Sequence, residues 1–291
     1  AQYLRELVPL DKSRRLKVVI DTGNGMGGFT VPAVLGDEIL PELPLDIDPM
    51  YFELDGSFPN HEANPIDPEN LRDLQKRVLE VGADIGLAFD GDADRCFVVD
   101  EKGAIVDPST LTALIATREL VKAPGSTIIH NLITSRAVPE IVIENGGIPV
   151  RTRVGHSFIK ATMAETGAIF GGEHSGHFYF RDFWKADSGM LAAMHALAAL
   201  GETPDSITLS ELLKPYLRYV MSGEINTKVT DAKAVIARIK ETAIKQGSEL
   251  DELDGLTVSG DGWWFNVRSS NTEPLLRLNV EAIDIQNMEI V

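Results

Sequence analysis

Short apolar runs alternate along this chain with helix-patterned segments, and that alternation restricts the fold to α/β layers. RLKVVIDT (15–22) reads as a buried strand, and GNGMGGFTVPAVLGDEIL (23–40) as a Gly-rich turn entering a helix. NPIDPENLRDLQKRVLEVG (64–82) has Asp67 at its N-cap, Pro68 at the first helical position and Gly82 past its end. ADIGLAFD (83–90) is the next buried strand, and RCFVVDEKGAIV (95–106) a hairpin turning at Lys102-Gly103. These elements make a first α/β unit, residues 1–103.

The alternation then repeats. Helix 108–125, strand STIIHNLI (126–133), helix 135–147, strand IPVRTRV (148–154), helix SFIKATMAETG (157–167) and strand AIFGG (168–172) lead to the polar loop EHSGH, then FYF and an Ala-rich helix. This second α/β unit spans 104–216 and ends in a linker near ETPDSITLSELLKPY. The third unit, 217–291, reads as a small α+β domain with an antiparallel sheet. Its strands are RYVMSGEINTKV, LTVSGD, GWWFNVRSS and PLLRLNVEA, with one amphipathic helix at DAKAVIARIKETAIKQG.

Charge narrows the function. A net charge of −17 gives no attraction to a phosphate backbone, so nucleic acid is not an expected partner, and any bound anion must be held by local Arg, Lys and backbone N–H groups. Cys96 is the single cysteine, which fits a reducing compartment. No apolar run reaches the ~20 residues of a membrane span, and the first residues lack a signal-peptide pattern. The expectation is a cytoplasmic protein without a membrane partner.

One loop carries the most chemistry. GLAFDGDADRCFVV places Asp90, Asp92 and Asp94 between two apolar strands. Carboxylates this close raise one another's cost of ionisation unless they are solvated or share a cation. Alternate spacing lets their side chains converge, and an all-oxygen set suits Mg²⁺ better than zinc. Arg95 beside them can hold a phosphate that the metal also touches. An EF-hand loop would also use Glu101 at its twelfth position, but Arg95 stands where its glycine belongs and the flanks are strands. A strand ending in Asp-x-Asp further resembles phosphotransferases with an aspartate nucleophile, which would be Asp90.

Four other stretches stand out. Gly23, Gly25 and Gly28 match a dinucleotide-type G-x-G-x-x-G, with Asp46 and Asp48 as ribose partners; tight packing of a strand-to-helix turn explains the same glycines. GGEHSGH (171–177) offers Glu173 and Ser175 to vicinal sugar hydroxyls and His177 for proton transfer, with His174 between them. Upstream, RTRVGHSFIK supplies His156 and Lys160 at a helix N-terminus, while Arg151 and Arg153 read as solvated strand-edge groups. RSSNTEPLLR (268–277) forms a donor-rich turn in which Arg268, Ser269, Ser270, Asn271, Thr272 and Arg277 can wrap a phosphate. His61, His130 and His195 are read as structural.

Taken in order, DTGNGMGG, DGDADR, GGEHSGH and RSSNTEP resemble the signatures of the α-D-phosphohexomutase family, and DGSFPNHEANP (55–65) is similar to its second domain. The resemblance runs along essentially the whole chain. It implies two mixed-sheet α/β domains followed by the small α+β domain. It implies Mg²⁺ on Asp90, Asp92 and Asp94, with Arg95 assisting the transferred phosphate. Glu173 and Ser175 would contact sugar hydroxyls; His156, Lys160 and His177 would serve proton transfer or the phosphate side. Arg268, Ser270, Asn271 and Thr272 would bind the phosphate that is not transferred. The implied reaction interconverts hexose 6-phosphate and hexose 1-phosphate through a hexose 1,6-bisphosphate. The sugar loop resembles that of bacterial phosphomannomutases, some of which also accept glucose phosphates.

The family's nucleophile lies on a Ser-His-Asn-Pro type loop of the first domain, and no such loop occurs in these residues. The expectation is therefore domains two to four, lacking the N-terminal phosphoserine domain and inactive alone. The competing expectations are the aspartyl-nucleophile phosphotransferase and a non-catalytic sugar-phosphate-binding module.

Overall fold

The computed structural model of the chain describes residues 1–270 and 274–290. Its first unit runs α1 (Gln2–Leu7), β1 (Leu16–Asp21), α2 (Gly27–Val34), β2 (Leu45–Met50), α3 (Arg72–Val81), β3 (Ile85–Phe89), β4 (Cys96–Asp100) and β5 (Ile105–Val106). The strands form one sheet in the order β2-β1-β3-β4-β5. β1, β2 and β3 are parallel, and β4 and β5 add antiparallel. The helix start is as expected at Asp67, whose side chain accepts from Glu69 N, but its first turn is 3₁₀; Gly82 closes α3 in the left-handed region at φ +61°.

The second unit comprises α4 (Pro108–Lys122), β6 (Thr127–Asn131), α5 (Ala137–Glu144), β7 (Ile148–Thr152), α6 (His156–Thr166), β8 (Phe170–Gly172), β9 (Phe178–Phe180), β10 (Ala186–Asp187), α7 (Gly189–Gly201) and α8 (Leu209–Leu213). Its sheet order, β10-β9-β8-β6-β7, repeats that of the first sheet strand for strand. In both, two parallel crossovers lead to a central strand that turns back antiparallel. The turns of those two hairpins are the Asp90–Arg95 loop and the Glu173–His177 loop.

The third unit is β11 (Val220–Lys228), α9 (Ala232–Gln246), β12 (Glu249–Asp251), β13 (Leu256–Gly260), β14 (Trp263–Ser269), β15 (Leu275–Ala282) and α10 (Ile285–Ile290). Its sheet, β11-β15-β14-β13-β12, is antiparallel throughout. The fold is thus two mixed-sheet α/β units and a small antiparallel α+β unit, as the sequence implied.

Strand alternation explains the packing. One face of the first sheet carries Val19, Ala88, Phe97 and Val99 under Leu74 and Val78 of α3. The opposite face, with Val18, Ile20, Leu87, Phe89 and Val98, enters a core continuous with Ile128, Phe170, Phe178 and the wholly buried α7 of the second unit. The first two units therefore share a core, while Leu256, Val258 and Val267 under α9 form a separate one in the third.

Three readings are corrected here. The segment read as a linker contains α8, capped reciprocally by Thr208 and Glu211, and Glu101 accepts from Ser210 N (3.0 Å) and Oγ (2.6 Å) in its first turn. Arg151 and Arg153 are not merely solvated: Arg151 pairs with Asp251 and Arg153 lies 3.8 Å from Asp254, so both reach the third unit. β2 and β12 were not expected; β2 carries Pro49 and two aspartates, which an edge strand tolerates.

Candidate functional site

β3 delivers Asp90 at the end of a fully buried strand, leaving it 3% exposed. The backbone then turns through Ala93 at φ +63°, a left-handed conformation that is costly for a residue with a Cβ. That turn returns Asp92 and Asp94 toward Asp90, so each of the three carboxylates can offer an oxygen within 4.8 Å of the others. Burial first, and then the neighbouring Asp90, raises the carboxyls of Asp92 and Asp94, the latter to about 6. Among the described residues, Asp94 Oδ1 is buried without a hydrogen-bond partner. An orphaned oxygen among crowded carboxylates is what a hard cation would relieve, so these residues fit Mg²⁺.

Arg95 is engaged with the same loop. Its Nε donates to Asp90 Oδ2 (2.6 Å), its backbone N to Asp90 Oδ1 (3.0 Å) and its Nη1 to Asn64 Oδ1 (3.1 Å). The glycine-rich turn supports this loop rather than a dinucleotide. A Cβ on Gly25 would meet Gly91 O at 2.6 Å, and one on Gly28 would meet Phe52 O at 2.0 Å. Asp48, one of the two candidate ribose partners under the dinucleotide alternative, accepts from Arg77. Asp21, just before the turn, is held by His61 Nε2 at 2.9 Å.

The two hairpin loops meet. Arg95 and His177 form an antiparallel bridge, and Cys96 N donates to Gly176 O (3.2 Å). Gly176, at φ +87°, lies so close to the Phe97 ring that a Cβ would stand 2.4 Å from it. His177 Nδ1 sits 3.1 Å from Asp187 Oδ2 and 3.5 Å from Asp94 Oδ1. Lys160 Nζ is 3.1 Å from Asp187 Oδ1, and the His156 ring lies 4.2 Å from that of His177. Burial alone would raise the Asp187 carboxyl, but hydrogen bonds from His177 and Lys160 outweigh it and hold it well below the usual carboxylate range. An ionised Asp187 fixes the His177 proton on Nδ1 and leaves Nε2 for a reacting group. His156, Lys160 and His177 therefore converge, on an aspartate that the sequence reading did not identify.

Glu173, read as a contact for sugar hydroxyls, also has partners within the protein. It is 1% exposed; Oε1 accepts from Gly155 N (3.1 Å) and Oε2 from Tyr179 Oη (2.8 Å). Tyr179 has one proton, given to Glu173, so its oxygen accepts from His156 Nδ1 at 2.7 Å. Tyr179 was also unanticipated. Burial, then Glu173, pushes its phenol far up, which keeps the proton in place.

A cleft of ≈ 600 Å³ opens beside these loops. Asp67 and Phe97 line it from the first unit, His174 and Ser175 from the second, and Glu224, Arg268 and Arg277 from the third. Arg277 Nη2 is 3.4 Å from Ser270 Oγ. Asn271 and Thr272, expected on the same phosphate, lie outside the described residues. Glu224, which no reading singled out, accepts from both Arg268 Nη2 (3.0 Å) and Arg277 Nη1 (3.1 Å). Of the remaining histidines, His130 is buried with Nδ1 3.1 Å from Asn131 O, and His195 lies 3.3 Å from Glu119 in the core.

Comparison with known proteins follows the same three-part division. Three models of phosphoglucomutase/phosphomannomutase match in succession: α/β/α domain II over residues 1–103, α/β/α domain III over 107–219 and the C-terminal domain over 224–289. A Xanthomonas campestris pv. campestris protein named phosphohexose mutases is 42% identical over 284 residues, covering 96% of this chain and 62% of the relative. An Escherichia coli K12 phosphomannomutase is 40% identical over 268 residues, covering 92% and 58%. A solved phosphoglucomutase/phosphomannomutase family protein of Burkholderia thailandensis superposes with a TM-score of 0.87 at 34% identity, covering 99% of this chain and 61% of the other. The chain thus spans about three fifths of the length of the relatives it matches.

Proposed function

The chain belongs to the phosphoglucomutase/phosphomannomutase family, and from that premise we propose that it forms the metal-, sugar- and distal-phosphate-binding part of a phosphohexomutase. The reaction is the interconversion of hexose 6-phosphate and hexose 1-phosphate through a hexose 1,6-bisphosphate, with mannose phosphates as the first substrates to test and glucose phosphates next. The name of the Escherichia coli relative supports mannose, and the description of the matching family models supports glucose as well. The observation that carries the reading is a cleft to which all three units contribute, lined by His174 and Ser175 of the sugar loop and by Arg268 and Arg277.

Each group then has a role. Asp90, Asp92 and Asp94 hold Mg²⁺, which when bound neutralises charge on a phosphoryl group. Arg95, fixed on Asp90, orients that phosphoryl group. His177, oriented by Asp187, moves the proton of the attacking or leaving hydroxyl at Nε2, with Lys160 and His156 beside it. Ser175 and His174 face the sugar, and Glu173 holds the loop and the Tyr179–His156 pair in place. Arg268, Arg277 and Ser270 grip the phosphate that is not being transferred, together with Asn271 and Thr272.

The transferring serine comes, on this proposal, from a segment outside these 291 residues. A coupled mutase assay with mannose 1-phosphate, Mg²⁺ and the matching bisphosphate tests it. No turnover by this chain, and turnover after a serine-bearing first domain is added, is the expected outcome. Turnover by the chain alone would contradict it and move Asp90 forward as nucleophile. No rescue by any serine-bearing domain would favour a non-catalytic sugar-phosphate module.

A further inference from the structure

Glu224 owes its position to an irregularity of β11. The register of that strand against β15 shifts between Met221 and Glu224, and Gly223 stands at φ +69°, in the left-handed region a glycine enters without strain. Ser222 secures the bulge, its Oγ accepting from Val280 N (3.0 Å) and donating to Gly223 O (2.7 Å). The bulge aims the Glu224 carboxylate into the cleft, where one oxygen meets Arg268 and the other Arg277. Neither guanidinium is saturated by it: among the described residues, both Nε atoms are buried with no hydrogen-bond partner. Two cations with buried donors to spare and one shared carboxylate form a site with net positive charge and unused donors.

We propose that Glu224 is an internal competitor for the distal phosphate: a carboxylate held by the two phosphate-binding arginines that an incoming phosphate displaces. This rests on the reading above, that Arg268 and Arg277 take the phosphate that is not transferred. A tetrahedral dianion presents more acceptor oxygens than one carboxylate and doubles its charge, so it can engage the Nε donors as well. It cannot share the arginines with Glu224, because the like charges would then be in contact. Binding is therefore an exchange of anions. The affinity of this side of the cleft is set below what the two arginines would give alone, and a singly charged group gains little from the exchange. Glu224 is thus a specificity-determining residue that acts through Arg268 and Arg277. Weakened retention also suits a ligand that must turn around between two phosphate transfers.

The test is a calorimetric titration of the 291-residue chain with inorganic sulfate, a dianion that does not titrate near neutral pH. Glu224→Gln is expected to tighten binding about tenfold, the scale of losing one or two partly buried ion pairs, and Glu224→Asp to fall between. Arg277→Ala should lose binding in both backgrounds. The Nε–H resonances of Arg268 and Arg277 provide a second readout, expected to shift on Glu224→Gln even without sulfate, which a remote folding defect would not confine to those two signals. Unchanged or weaker sulfate binding by a folded Glu224→Gln chain, with Arg277→Ala still lost, overturns the competitor and leaves the phosphate site standing. Sulfate binding indifferent to Arg277→Ala overturns the phosphate reading and the competitor with it.

Discussion

Replacing His61 by Gln removes a charge from the support of the aspartate loop while keeping a donor where Nε2 stands. His61 Nε2 lies 2.9 Å from Asp21 Oδ2, and Asp21 is 1% exposed, with its other oxygen accepting from Gly23 N at 2.8 Å. The Asp21 hydrogen bond is the main reason the imidazole is raised from 6.5 to about 9. At about 1.4 kcal/mol per tenfold change, that shift corresponds to roughly 3 kcal/mol of coupling. The ring retains 15% exposure, and solvent screening reduces the expected contribution to about 1–2 kcal/mol. The sign follows from the direction. A histidine raised on folding contributes stability that is fully present below its unfolded value of 6.5 and is lost as pH climbs through about 9. Urea unfolding at about pH 6 should therefore separate wild type from His61→Gln by about 1–2 kcal/mol, and the gap should close near pH 10. An equal gap at both pH values would refute the charged pair and leave only a packing effect.

Further outcomes follow from other contacts. Gly25→Ala places a methyl 2.6 Å from Gly91 O, an acceptor that Met26 N uses at 2.9 Å; it should cost about 1–3 kcal/mol and weaken Mg²⁺ binding in a metal titration, while Gly56→Ala, with nothing within 4 Å among the described residues, should do neither. Burial pushes the Cys96 thiol far up, so a thiol reagent should label the chain only at the rate at which it opens. Asp187→Asn, in an enzyme completed with a serine-bearing domain, should lower kcat by about 10²–10⁴-fold with little change in KM, because the His177 proton is no longer fixed on Nδ1; an unchanged kcat would remove His177 from proton transfer.

What could be read from the sequence was what is contiguous in it. Asp90, Asp92 and Asp94 were legible because apolar strands bracket them, and the resulting carboxylate cluster is a local turn. The helix ends at Asp67 and Gly82 were legible because capping is local chemistry. Asp187 was not: in the sequence it is one acidic residue before the N-cap Ser188 of α7, and only the pairing of β10 with β9 brings it to His177. Glu224 and Tyr179 were hidden for the same reason, one on a strand whose bulge turns it inward, the other inside FYF, which reads as core. The edge strand β2 was obscured by Asp46, Asp48 and Pro49, residues that strand propensity disfavours and an edge position accepts. Glycine spacing fitted both a dinucleotide and tight packing of the turn, and the approach of Gly25 to Gly91 shows which backbone the turn packs against.

The central claim is that one cleft takes a hexose phosphate by gripping its distal phosphate with Arg268 and Arg277. Calorimetric titration of the chain with mannose 6-phosphate, comparing wild type with Arg268→Ala, tests it most directly. Saturable binding that falls at least tenfold in the variant, while mannose itself binds neither protein, is the predicted result. Equal affinity in both proteins would contradict the account.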